Sequence, residues 1–190
     1  MNPVRRFVLF FTILFLPTAA LDVWTTELGR QRGNMAELNP SGFMPLTQSI
    51  LGEIPLLLGG AGLVALGAWL RRETLLKAPT LKFREFRQEL WFKGSYLAAL
   101  LLFAPVAIAA LRVTAISNNL MHLRLGWSAW DRWLLHPVAD WMHLPVGRAY
   151  PVMCFIIAML GLVPVTWVVY QVAKFKFTGH KESVGNGSTM

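Results

Sequence analysis

Residues 7–28 read FVLFFTILFLPTAALDVWTTEL, and this stretch decides the fold class. Fifteen mostly apolar residues precede Asp22, whereas a helix needs about 20 residues to cross the roughly 30 Å of hydrocarbon in a bilayer. The stretch can therefore cross only if the helix continues through VWTTEL. Similar apolar stretches cover residues 46–70, 95–116 and 151–173. Together they predict an all-α integral membrane bundle of four transmembrane helices with an outer interfacial helical segment.

The composition supports this class, since 55% of the 190 residues are hydrophobic and only 15% are charged. Soluble domains carry about 25% charged residues on average. We expect residues 1–176 to form a single membrane domain and residues 177–190 to form a flexible hydrophilic tail. The basic start followed by PTAALD also resembles a secretory signal, so cleavage of residues 1–20 remains an alternative.

The distribution of lysine and arginine predicts the orientation. Twelve of the eighteen lie before residue 7, between residues 71 and 93, or after residue 173. The positive-inside rule places these segments, and therefore both termini, in the cytoplasm, most simply at a bacterial inner membrane. The net charge of +8 is explained by this topology, so we do not expect nucleic acid as a partner.

Two connecting segments combine apolar and polar residues at helical spacing. Segment 80–93 alternates basic residues with apolar ones, which predicts a helix in the lipid headgroup layer. A polybasic surface that docks a soluble partner is the alternative. Segment 127–143 is rich in tryptophan, which favours membrane interfaces, so we expect short helices on the outer surface that are interrupted or restarted at Pro137.

The second span is rich in glycine. Glycine lets neighbouring helices approach closely enough for extensive van der Waals contact. We therefore expect this span to lie at the centre of the bundle. Its glycines are Gly52, Gly59, Gly60, Gly62 and Gly67.

Polar residues from three spans and one loop are predicted to meet at the outer end of the bundle. A carboxylate in a span is costly unless it is paired, hydrated or protonated. Three interpretations remain open: a network that ties helix ends together, a ligand or catalytic site, or simple exposure to solvent. The candidate catalytic residues are Asp22, Glu37, Asn39, Glu53 and Arg112, with Asn118 and Asn119 close by.

The order of residues at the end of the first span also suggests a family. It resembles small uncharacterised prokaryotic polytopic membrane proteins, in which an Asp-x-x-Thr-Thr helix end precedes a loop containing Gly, Glu and Asn-Pro. The resemblance implies no established activity, but it adds weight to Asp22, Glu37 and Asn39 as a set. The residues that carry it are Asp22, Thr25, Thr26, Gly33, Glu37, Asn39 and Pro40.

The segment HPVADWMH contains a possible metal site. His136, Asp140 and His143 share one face of a continuous helix, and imidazole with carboxylate suits a divalent transition metal such as zinc, iron or copper. His122 or Asp131 could complete the ligand set. Because seven residues of helix span roughly 10 Å, the two outer histidines cannot share one ion unless the helix breaks. The alternative is the polar face of an interfacial helix.

Familiar catalytic motifs are missing, including Gly-x-Ser-x-Gly, His-Glu-x-x-His and a Gly-rich phosphate loop. The leading hypothesis is a small noncatalytic membrane subunit that binds lipids and other membrane-protein chains in a larger assembly. The alternative is a membrane-embedded enzyme that acts, with or without a bound metal ion, on a lipid-linked or extracytoplasmic substrate. It would use the Asp/Glu/Asn/Arg cluster.

Overall fold

The fold is helical throughout the part of the chain that the structure describes, residues 2–32 and 45–175 of a computed structural model. The predicted all-α class is confirmed for these ranges. A 3₁₀ turn lies at Ala78–Thr80, and a π-helical turn lies at Asp131–Leu135. The helices are α1 (Pro3–Arg32), α2 (Leu46–Leu70), α3 (Arg72–Lys77), α4 (Phe83–Phe92), α5 (Tyr96–Leu125), α6 (His136–Met142), α7 (Val146–Leu160) and α8 (Leu162–Lys174).

Among the described residues, α1, α2 and α5 are each long and apolar enough to cross a membrane. The number of candidate spans rises to four if the segments Asp131–Met142 and Val146–Leu160, between which the chain bends by 113°, count as one. The continuation that the first span required is present, because α1 passes Asp22 without a break and ends at Arg32.

The predicted fourth stretch, residues 151–173, is divided between α7 and α8 at Gly161. Pro164 explains the division, because proline has no N–H and its ring conflicts with the carbonyl four residues earlier. That carbonyl belongs to Leu160, the last residue of α7. Helical hydrogen bonds still flank the break, since the Gly161 N–H donates to Ile157 O and the Val165 N–H donates to Gly161 O.

Helices α1, α2 and α5 pack against one another, and α5 is the most buried of the three. In its most apolar stretch 44% of the residues are buried, against 28% for α1 and 11% for α2. The expectation that the second span is central is therefore wrong. Its glycines point in different directions: Gly60 faces the ring of Phe11 and Gly67 faces the α5 backbone, whereas no described residue lies within 4 Å of a Cβ built at Gly59 or Gly62.

Helix α4 lies where an amphipathic helix was predicted, but its apolar face contacts protein. Phe86, Leu90 and Trp91 are buried. The Trp91 Nε1–H donates to the Thr166 hydroxyl of α8 at 3.1 Å. This differs from the expected lipid contact, because the rings of α8 and α5 offer an apolar surface that periodicity along α4 could not show.

The turn from α4 to α5 is fixed by Arg71, which is nearly buried. Its guanidinium donates to the carbonyls of Leu90 and Lys93. Burial lowers the pKa of Arg71 because desolvation disfavours the charged form. Gly94 follows with a φ of +97°, and a side chain there would meet Arg71 Nη1.

The start of α1 and the end of α8 lie together. Arg6 Nη1 donates to the carbonyls of Ala173 at 2.7 Å and Val172 at 3.3 Å. A cation is favourable there because the carbonyls that end a helix carry partial negative charge. We call the opposite end of the bundle, where α1 and α5 end and α2 begins, the distal end.

The connection from α5 to α7 differs in detail from the predicted surface helices. Gly126, with a φ of 72°, ends α5 in the left-handed region that favours glycine. The helical segment then runs through Pro137, which occupies the first turn of α6, where its missing N–H costs little. Trp133 and Trp141 are 73% and 77% exposed, but contact of these rings with a membrane surface remains a prediction.

Candidate functional site

A cavity of about 960 Å³ lies at the distal end, between α1, α2 and α5 on one side and the π-helical turn with α7 on the other. Its polar lining collects residues that the sequence separates widely. These include Asp22, Thr26, Glu27, Arg30, Ser49, Glu53, Asn118, Asn119, His122, Asp131, His136 and Tyr150.

Three predicted residues meet beside this cavity, which Asp22 and Glu53 line and Arg112 adjoins through its contacts with both. Arg112 Nη1 and Nη2 donate to the two carboxylate oxygens of Glu53 at 3.0 and 2.7 Å. Asp22 Oδ2 lies 3.9 Å from Arg112 Nη1, and the guanidinium carbon lies 4.7 Å from the centre of the Phe15 ring. Only 11% of the Arg112 side chain is exposed, so its positive charge is compensated mainly by the carboxylates of Glu53 and Asp22 and little by solvent. The predicted Glu37 and Asn39 lie outside the described residues.

The geometry of this group favours the structural interpretation for Glu53. Both of its oxygens accept hydrogen bonds from one guanidinium, an arrangement that fixes orientation as well as charge. The pair joins α2 to α5. Both carboxylate oxygens of Glu53 are thereby engaged by the Arg112 guanidinium. Because two carboxylates surround one guanidinium, the group of Asp22, Glu53 and Arg112 carries a net negative formal charge.

Asn119 provides a second link between helices. Its Nδ2 donates to the hydroxyls of Thr25 and Thr26, each at 3.1 Å. Thr25 is fully buried and its hydroxyl donates to the carbonyl of Asp22 at 3.1 Å. The Asp-x-x-Thr-Thr sequence therefore forms the surface of α1 that binds α5. Sequence reasoning placed Asn119 near this level but did not identify the threonines as its partners.

The segment after α5 is held against the end of that helix by polar contacts. His122 Nε2 lies 2.5 Å from Asp131 Oδ2. The Trp130 Nε1–H donates to the Ser117 hydroxyl at 2.8 Å, so this tryptophan points inward. Sequence reasoning missed the Trp130 contact, although a tryptophan N–H close to polar residues is a signal that it needs a partner.

The predicted metal-ligand set is not assembled. Within residues 2–32 and 45–175, no three His, Cys, Asp or Glu side chains are grouped so that they could hold a metal ion. His122 and Asp131 contact each other. His136 and Asp140 are exposed, and His143 follows the end of α6 with a φ of 52°. The continuous helix that the ligand pattern required therefore ends before His143.

Comparisons with protein-family models, with curated proteins and with solved structures found no match for this chain. The family resemblance at the end of the first span remains a prediction. Of the residues that carry it, Asp22, Thr25 and Thr26 lie together at the cavity or on the buried face beside it. Gly33, Glu37, Asn39 and Pro40 lie outside the described residues.

Proposed function

We propose that the chain is a small noncatalytic subunit of a larger membrane assembly, and that α2 contacts a transmembrane helix of another protein chain. The observation that carries the proposal is the face of α2 formed by Gly59 and Gly62. No described residue lies within 4 Å of a Cβ built at either position.

The same helix uses glycine for close contact on its inward side. A Cβ at Gly67 would lie 2.6 Å from the Leu102 backbone nitrogen, and one at Gly60 would lie 2.5 Å from the Phe11 ring. Small residues permit such approach in an apolar solvent, where the hydrophobic effect does not drive helices together. Gly59 and Gly62 would allow an equally close approach on the outward side of α2, which supports an external partner helix.

The polar groups of the chain support the noncatalytic part of the proposal. Glu53 is occupied by Arg112, and Asn119 is occupied by Thr25 and Thr26. These contacts connect α2 to α5 and α1 to α5. Stabilisation of the bundle is therefore the role that the geometry favours for them.

The proposal includes the placement of the chain. We assign it to a bacterial inner membrane as a multi-pass protein in contact with membrane lipids, with both termini cytoplasmic. Support comes from the basic residues around the start of α1, along α3 and α4, and at the end of α8. The contact of Arg6 with the end of α8 is consistent with both termini emerging on one side.

The test compares glycine variants in the full chain. Gly59→Leu and Gly62→Leu fill the open face of α2, whereas Gly147→Leu makes the same change on α7, where an added Cβ also meets no described residue within 4 Å. After cross-linking in cells and purification in mild detergent, we expect defined companion chains with the unmodified protein and Gly147→Leu. Their yield should fall with Gly59→Leu and Gly62→Leu at unchanged protein level.

Two results would overturn this proposal. The chain could purify without companions after cross-linking, or its companions could be retained equally by all three variants. A companion that is only a second copy of this chain would make the face a self-association surface and would also contradict a larger assembly.

The second candidate is a membrane-embedded enzyme acting on a lipid-linked or extracytoplasmic substrate. It is favoured by one observation, that Asp22 and Glu53 line the same cavity. Asp22→Asn keeps the shape of the side chain and removes its charge. Loss of a specific lipid conversion in cells at normal protein level would favour the enzyme, whereas a parallel loss of protein would favour the structural role.

A further inference from the structure

We infer that the cavity at the distal end binds an amphipathic amine, a molecule with a hydrocarbon chain and a protonated amino group. The inference is independent of the partner helix, because Gly59 and Gly62 do not line the cavity. It rests on the size of the cavity, the different character of its walls and its charge.

The size fits a small amphiphile. Ligand sites typically enclose about 300 to 1,000 Å³, and this cavity encloses about 960 Å³. Six helical elements contribute to its walls, so the volume lies between packed elements and is not a shallow depression on one helix. A hydrocarbon chain of about a dozen carbons is compatible with a site of this volume.

The walls differ in polarity. Helix α7 contributes mainly apolar surface, including Val146, Met153 and Ile157. Helix α1 contributes mainly polar surface, including Asp22, Thr26 and Glu27. An amphiphile can therefore place its chain against α7 and its polar head toward α1, so that each part meets a matching surface.

The charge selects a cationic head. Four carboxylates line the cavity, those of Asp22, Glu27, Glu53 and Asp131. Two guanidiniums contact them: Arg30 is paired with Glu27, and Arg112 lies between Glu53 and Asp22. The carboxylates outnumber the guanidiniums that contact them, so the formal charge of these groups is negative. A protonated amine is attracted by this field, and a carboxylate or phosphate head is repelled.

The test uses three probes with the same chain length. Dodecylamine, dodecanol and dodecanoate are titrated onto the full-length protein in phosphatidylcholine nanodiscs, with empty nanodiscs subtracted. We expect saturable binding of one dodecylamine per chain, at least about tenfold weaker binding of dodecanol, and no saturable binding of dodecanoate, since tenfold corresponds to about 1.4 kcal/mol. Equal binding of amine and carboxylate would overturn the inference.

Two glycines allow the cavity to be filled without a steric clash. Gly52 and Gly147 line it, and no described residue lies within 4 Å of a Cβ built at either position. We expect Gly52→Leu and Gly147→Leu each to weaken dodecylamine binding about tenfold or more. Gly62→Leu is the matched control, because it adds the same side chain to α2 outside the cavity. Equal binding by the filled variants and the control would show that the amine binds elsewhere.

The charge is tested separately from the volume. Asp22→Asn should reduce dodecylamine binding while leaving dodecanol binding unchanged, so that selectivity between the two probes falls. Glu73→Gln removes an exposed carboxylate from α3, remote from the cavity lining, and should leave the selectivity unchanged. Helicity by circular dichroism identifies any variant that fails to fold, in which case the comparison of dodecylamine, dodecanol and dodecanoate on the unmodified protein still decides whether charge selects the head group. Retention of full selectivity by Asp22→Asn in a folded protein would refute the role of charge.

Discussion

Arg112 on α5 and Glu53 on α2 form a two-pronged ion pair, with donor–acceptor distances of 3.0 and 2.7 Å. They are separated by 59 positions in the sequence and joined at the distal end of the bundle. Asp22 of α1 lies 3.9 Å from the same guanidinium. One arginine thus connects the three long helices electrostatically.

Removal of one member of this pair should destabilise the bundle strongly. Arg112→Met leaves Glu53 without its partner at a mostly buried position, and loss of one member of a buried pair costs about 3–5 kcal/mol. Because apolar replacement of both partners is often neutral, the double variant Arg112→Met/Glu53→Met should recover most of the loss. Unfolding in mixed micelles, followed by circular dichroism, measures both. A double variant as unstable as the sum of the single variants would contradict the coupling.

Asn119 should contribute less than Arg112. Asn119→Leu removes its hydrogen bonds to Thr25 and Thr26. Interhelical hydrogen bonds in membrane proteins contribute about 0.6 kcal/mol on average and up to about 1.7 kcal/mol. We expect a loss of about 1 kcal/mol in the unfolding free energy. A double-mutant cycle with Thr25→Val isolates the contact, and zero coupling energy would show that the hydrogen bond adds nothing.

The two sides of α2 should respond oppositely to alanine. Gly67→Ala places a methyl group 2.6 Å from the Leu102 nitrogen and 3.0 Å from the Ala98 oxygen, and neither backbone atom can rotate away. Overpacking of this kind costs about 1–3 kcal/mol. Gly62→Ala meets no described residue within 4 Å, so the isolated chain should keep its stability or gain slightly from helix propensity. Thermal unfolding in detergent provides the comparison, and equal loss at both positions would be inconsistent with the packing.

Hydropathy and charge predicted where the long helices lie in the sequence better than they predicted which helices pack against each other. The length needed to cross a bilayer predicted that the first helix continues past Asp22, and α1 does continue to Arg32. The centrality of α2 was mispredicted because glycine content says how closely a helix can be approached but not from which side. The direction of Gly60, Gly67 and Gly59 depends on helix rotation, which hydropathy does not encode.

The candidate site was predicted in part: the contacts between helices were predicted correctly, and the metal-ligand set within one segment was not. Asp22, Glu53 and Arg112 meet because they lie at the same end of three long helices that pack side by side. The proposed ligand set at His136, Asp140 and His143 depended on local spacing along one helix. That spacing was lost where α6 ends, since a left-handed residue at position 143 redirects the chain. Helix ends are set by tertiary context more than by ligand-like periodicity.

Thr166 and Trp91 distinguish the observed position of α4 from a helix that floats on lipid. Thr166→Val preserves the shape of the side chain but removes the acceptor for the buried Trp91 N–H. In the unmodified protein, Trp91 Nε1 lies 3.1 Å from the Thr166 hydroxyl. An unsatisfied buried donor costs about 1–3 kcal/mol, so we expect a loss of that order in the unfolding free energy. Thr12→Val is the matched control, because the Thr12 hydroxyl bonds to the Val8 carbonyl of its own helix. The unfolding free energy should fall further in Thr166→Val than in Thr12→Val, and equal stability of the two variants would mean that α4 does not pack against α8.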